Sequence, residues 1–115
     1  MLDVPLAQFE QVVADALDSL PEELGKVFAN VAVLVEDERP GQPNLLGLYE
    51  GIPLTERGNW YSGVLPDRVT IFRLPILRRC RTFDDVLNQV RITVVHEMAH
   101  HMGIGDAHLD ELGWA

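Results

Sequence analysis

Residues 82 to about 102 constrain the fold most. Read as one helix, they place Phe83, Leu87, Val90, Val94 and Met98 on a single stripe, while Ile92, Val95 and Ala99 add apolar surface elsewhere. A helix apolar over so much of its circumference belongs at the centre of its domain. Thr82 followed three residues later by Asp85 reads as a capping box at its start. Gly103 reads as its terminator.

That helix carries His96, Glu97 and His100. At about 100° per residue, two histidines four apart point within roughly 40° of each other, one turn apart. Both imidazoles can then meet one ion, and the apolar stripe lies roughly opposite them. Glu97 can face water on the metal without being a ligand. Zinc lowers the pKa of that water, and a carboxylate beside it can take the proton and later return it to a leaving amine. The plain alternative is a polar stripe on a solvated helix, but Val94, Val95, Met98 and Ala99 surround the motif with apolar residues. His101, about 100° further round, reads as a buried, hydrogen-bonded histidine. Met98 and Met102 read as core.

A catalytic zinc needs a third protein ligand and an open position. Downstream of His100 the candidates are Asp106, His108, Asp110 and Glu111. Gly103 can take a left-handed conformation and let the chain double back. Asp106 is then well placed to reach the ion, although it also suits the N-cap of a final helical turn. His108 is its main rival.

The rest of the chain reads as α+β. Leu6, Phe9, Val12, Val13, Ala16, Leu17 and Leu20 have helical spacing. Pro5 fits the first turn of that helix, and Asp3 or Val4 its cap. Ser19 suits the cap of a short further turn. Residues 31–35 form a β-branched run that reads as a buried strand. Residues 45–50 read as a second strand, in which Gly47 marks a bulge or a close approach by another backbone. Residues 51–66 are loop-like, and residues 69–74 form a third strand stopped by Pro75. A small sheet packed against an N-terminal helix and the motif-bearing helix is the expected architecture, in one domain over residues 1–115.

Composition narrows the function. A formal net charge of -9 repels nucleic acid. The arginines between Arg73 and Arg81 read as a solvated loop balancing nearby carboxylates rather than a phosphate patch. No apolar run approaches the roughly 20 residues that span a bilayer, and no leader-like segment opens the sequence. Cys80, the lone cysteine, reads as a small buried hydrophobe rather than a metal ligand, and fits a reducing cytoplasm.

The run His96-Glu97-Met98-Ala99-His100-His101-Met102-Gly103-Ile104-Gly105-Asp106 resembles the extended motif of metzincin-type zinc peptidases, in its rarer aspartate form. The chain resembles more closely the minimal zincin-like metallopeptidases, a family of very small bacterial proteins. Residues 45–51, 65–68 and 110–114 share in that likeness. The resemblance implies His96, His100 and Asp106 as zinc ligands, Glu97 as general base, and a compact α+β zincin core. By the same analogy, a peptide substrate lies extended along an edge strand, either the 45–50 strand or the loop after it. Larger metzincins place a methionine turn beneath the metal, and the residues after Asp106 contain no methionine. Tyr49, Trp60 and Tyr61 read first as packing residues and second as substrate contacts.

A zinc-dependent peptidase is the leading expectation, acting on a peptide or protein substrate, with no nucleic-acid or membrane partner. The second is a metal-dependent ribonuclease with a related histidine spacing, although such enzymes lack a glutamate after the first histidine. The third is a non-catalytic, zinc-stabilised peptide-binding module, which a closed set of four ligands would mark.

Overall fold

The computed structural model describes residues 2–22, 31–51 and 67–101, with His100 and His101 as backbone. The expected terminator Gly103, the final helical turn, Trp60, Tyr61 and the side chain of His101 lie outside the described residues. Helix α1 spans Leu6–Asp18, and strands β1 and β2 span Val31–Glu36 and Gly47–Glu50. Strand β3, Asp67–Phe72, leads directly into helix α2, Arg73–Arg79. Helix α3 runs from Phe83 to His101. The architecture is α+β: among the described residues, a three-stranded mixed sheet lies with the helices α1, α2 and α3, and α1 packs against α3.

Strand order is β1-β3-β2. β3 pairs in parallel with β1, Val33 opposite Val69, and antiparallel with β2, Gly47 opposite Ile71. Side chains alternate across a strand, so Val31, Val33, Val35, Val69, Ile71 and Tyr49 share the face that closes on the helices. All six belong to, or pack against, the core cluster. β1 is less buried than its composition suggests: Leu34 is 45% exposed. It is an outer strand among the described residues, so its second face stays partly open.

In α1, Phe9, Val12, Val13 and Ala16 are buried, which matches the helical spacing. Pro5 sits at the N-cap rather than in the first turn. Its carbonyl accepts the Phe9 N–H at 2.9 Å, the first intrahelical bond. Ser19 caps the end of α1, its hydroxyl donating to the Ala16 carbonyl at 2.8 Å; Glu22 is helical, and the rest of the short turn expected there, residues 23–30, lies outside the described residues. In the reversal after β1, Gly41 has φ +80° and Gln42 N–H donates to Arg39 C=O at 3.0 Å. Pro40 and Gly41 thus occupy the two central positions a type II turn prefers for them.

Further expectations are corrected. Pro75 does not stop a strand; it lies in the first turn of α2, where N–H groups lack intrahelical partners in any case. The arginine-rich stretch is therefore largely helical rather than a loop, although its charges do balance carboxylates. Arg73 pairs with Asp37 at 2.9 Å and donates to the Val4 carbonyl at 2.8 Å, tying the N-terminal segment to the end of β1. Arg78 pairs with Glu38 at 3.5 Å. On α3, Phe83 is 44% exposed, and Val86 takes its place at the start of the core stripe with Val90, Val94 and Met98. One turn of the helix lies between each of these four, which keeps them on a single gently drifting line.

The capping box of α3 is formed. Asp85 N–H donates to Thr82 Oγ1 at 3.1 Å, and Thr82 N–H returns to Asp85 Oδ2 at 3.2 Å. The N–H bonds from Arg81 and then Thr82 hold the Asp85 carboxyl below its ordinary value. A lowered folded-state pKa stabilises above the unfolded value, near 3.9, and that contribution is lost as pH falls through the folded value. Thr82→Ala should cost about 1 kcal/mol, lowering the melting temperature by about 4 °C in a domain this size. Asp85→Asn should flatten the loss of stability between about pH 5 and pH 2. A melting series over that range with no difference between Asp85→Asn and wild type would refute the linkage. Cys80 is buried, and its thiol is pushed up by desolvation first and by the Asp85 charge second, so it stays protonated and inert.

Candidate metal centre

The site residues inherit their positions from α3. Val86, Val90, Val94, Val95, Met98 and Ala99 are buried, so the helix is clamped against α1 and the sheet. That clamp fixes its rotation. His96 and Glu97 are half-buried, turned from the deepest part of the core, and the His96 Nε2 atom is shut off from solvent. His100 follows one turn later on the same unbroken helix. The rest of the predicted ligand set, Asp106 with its rival His108, lies outside the described residues.

A second row on α3 holds Gln89, Thr93 and Glu97, and the last two meet the sheet at β2. Thr93 is 5% exposed. Its hydroxyl donates to the Gln89 carbonyl at 2.8 Å and accepts the Gln89 side-chain amide at 3.2 Å. A threonine bonded to the carbonyl four residues back has its χ1 held, so its methyl points in one fixed direction. That direction is Gly47. A Cβ placed on Gly47 would stand 2.7 Å from Thr93 Cγ2, 3.3 Å from Glu97 Cγ and 3.4 Å from the Thr70 carbonyl oxygen. The β2–β3 register runs without interruption from Gly47 to Glu50. Of the two roles anticipated for this glycine, it marks a close approach and not a bulge. The approaching group is a pair of helix side chains rather than a second backbone alone.

Tyr49 takes the packing role. It lies against the core, and its hydroxyl donates to Asp67 on the neighbouring strand. Glu50 and Arg68 pair at 3.6 Å on the opposite face of the sheet. A groove of about 430 Å³ lies elsewhere, lined by Glu10, Val13, Ala14 and Leu17 of α1 and residues 33–36 of β1. It includes none of the motif residues.

The sequence profile of the Zincin-like metallopeptidase family matches residues 28–114. The chain belongs to that family. The match covers most of the chain and includes α3 and both histidines of the motif. A conserved hypothetical protein from Thermo thermophilus has a similar structure, with a TM-score of 0.60 and 21% identity over 86% of this chain and 94% of that one. At that identity the likeness speaks for the fold. No curated protein matches the chain.

The family implies a metal, and the donors present suit one. Zinc accepts imidazole nitrogen and carboxylate oxygen at four-coordinate sites. The zincin-like chain supplies an imidazole with a solvent-shielded nitrogen at His96 and a second histidine one helical turn on. Among the described residues no three candidate ligands come together, because the His100 side chain and everything from residue 102 onward fall outside them. One site-shaping residue escaped the sequence reading of this zincin-like protein: Thr93, the counterpart of Gly47, which the sequence had marked without its partner. The available signals were a glycine inside an otherwise apolar strand and a β-branched polar residue one turn before the glutamate.

Proposed function

We propose that the protein is a zinc-dependent peptidase that uses Glu97 as its general base. What carries this reading is the half-buried Glu97 beside His96 on a helix locked into the core, directly beneath the outer strand of the sheet. His96, His100 and Asp106 are the residues that would hold the metal. A bound zinc ion supplies a Lewis acid that polarises a carbonyl and acidifies water. Glu97 takes the proton from the attacking water and later delivers it to the departing amine. β2 provides the rail for the substrate: among the described residues it has a partner on only one side, β3. An extended peptide can add to the open edge by main-chain hydrogen bonds, which orient its backbone without dictating its sequence. The net charge of -9 makes a nucleic-acid substrate the poorer fit.

Metal removal tests this. Cleavage of an unfolded protein substrate should vanish on treatment with a strong chelator and return with stoichiometric zinc, while circular dichroism stays folded. Cleavage that persists without metal would overturn the proposal. Unfolding on chelation would favour a structural zinc. Hydrolysis of RNA in preference to peptide would favour the ribonuclease alternative.

A further inference from the structure

We infer that Gly47 is a positioning residue for the general base: its missing side chain lets β2 lie close over α3, and the Thr93 methyl sets the height of that strand above Glu97. The inference rests on Glu97 as general base. The contact is specific. A Cβ on Gly47 would fall 2.7 Å from Thr93 Cγ2, far inside van der Waals contact, and 3.3 Å from Glu97 Cγ. Thr93 cannot turn aside cheaply, because rotation about χ1 would break its 2.8 Å bond to the Gln89 carbonyl and its 3.2 Å bond from the Gln89 amide. β2 cannot simply slide, because its pairing with β3 from Gly47 opposite Ile71 to Glu50 opposite Arg68 sets the register. The Thr70 carbonyl oxygen at 3.4 Å closes the remaining direction. A methyl added at Gly47 is therefore accommodated in two ways: β2 lifts away from the helix, and the Glu97 side chain is pushed off its line. Both alter the distance between the base and a peptide laid along the strand. His96 and His100 occupy other positions on the helix than Glu97, so zinc affinity is expected to be left intact.

The experiment is a double-mutant cycle between Gly47→Ala and Thr93→Ser. The serine keeps the hydroxyl that bonds Gln89 and removes the methyl that Gly47 accommodates. Displacing a reacting group by about 1 Å can cost on the order of 10²-fold in rate. Gly47→Ala alone should lower kcat by about 10- to 100-fold, leaving KM and zinc affinity within about twofold of wild type. Gly47→Ala/Thr93→Ser should recover most of kcat. The melting temperature provides a readout apart from activity: Gly47→Ala should lower it by several degrees with Thr93 present and by little in the Thr93→Ser background. If Gly47→Ala proves too unstable to assay, recovery of folding and kcat in the double variant still supports the inference. Wild-type kcat in folded Gly47→Ala would overturn it, as would a loss of kcat that Thr93→Ser does not relieve. The two levels of failure separate cleanly. Full turnover in Glu97→Gln sinks the general-base reading, whatever Gly47→Ala does. An inactive Glu97→Gln beside a fully active Gly47→Ala shows that only the assignment of Gly47 is wrong.

Discussion

Glu97→Gln is expected to lose at least about 10³-fold in kcat, with zinc affinity and KM nearly unchanged. General acid–base groups contribute roughly 10² to 10⁴, and here one carboxylate is asked to serve both the attack on the carbonyl and the release of the amine. Glutamine keeps the size and most of the packing beneath β2, where the Glu97 Cγ lies close to Gly47. The substitution therefore removes the proton acceptor and little else. Equilibrium zinc titration and steady-state kinetics on the same preparation check both halves. Retained turnover would remove Glu97 from the mechanism. Lost zinc would instead mean that the carboxylate is a ligand.

Phe9→Ala should be the most damaging single truncation among the described residues, costing about 3–5 kcal/mol. Phe9 is 0% exposed and is among the largest fully buried side chains. It projects from α1, the helix that packs against α3, and α1 has no side-chain cap bond at its start to compensate. Since total stabilities are about 5–15 kcal/mol, the loss should lower the melting temperature by more than about 10 °C. Leu6→Ala is the internal control. Leu6 lies on the same helix at 44% exposure, and its truncation should stay within about 0.5 kcal/mol. A thermal melt in which both variants shift equally would show that α1 is not docked as described. Because α1 buttresses α3, the Phe9→Ala variant should also lose activity at temperatures below its unfolding midpoint.

Much of the fold was legible in local pattern. The stripe on α1, the branched run of β1, the capping box at Thr82 and Asp85, and the long helix behind it all follow from spacing alone. The mistakes share one cause. Phe83 fits the apolar stripe by angle, yet it is exposed while Val86 is buried, because the neighbours that cover a helix's first turn belong to other elements. Pro75 reads as a breaker from its chemistry, but position within a helix decides whether a missing N–H matters. The arginines of α2 could be recognised as charge-balancing, whereas their partners Asp37 and Glu38 are named only by the folded chain.

The candidate site divides in the same way. By itself the sequence determined that His96, Glu97 and His100 ride one helix at ligand spacing, because a separation of four residues is a property of the helix and needs no partner. It also marked Gly47 as a break in a strand. Only the tertiary structure decided what the glycine was for, bringing it against Thr93 and Glu97, which lie much later in the chain. Such a contact depends on how a sheet and a helix are docked, and that docking is set by the shapes of many buried side chains at once.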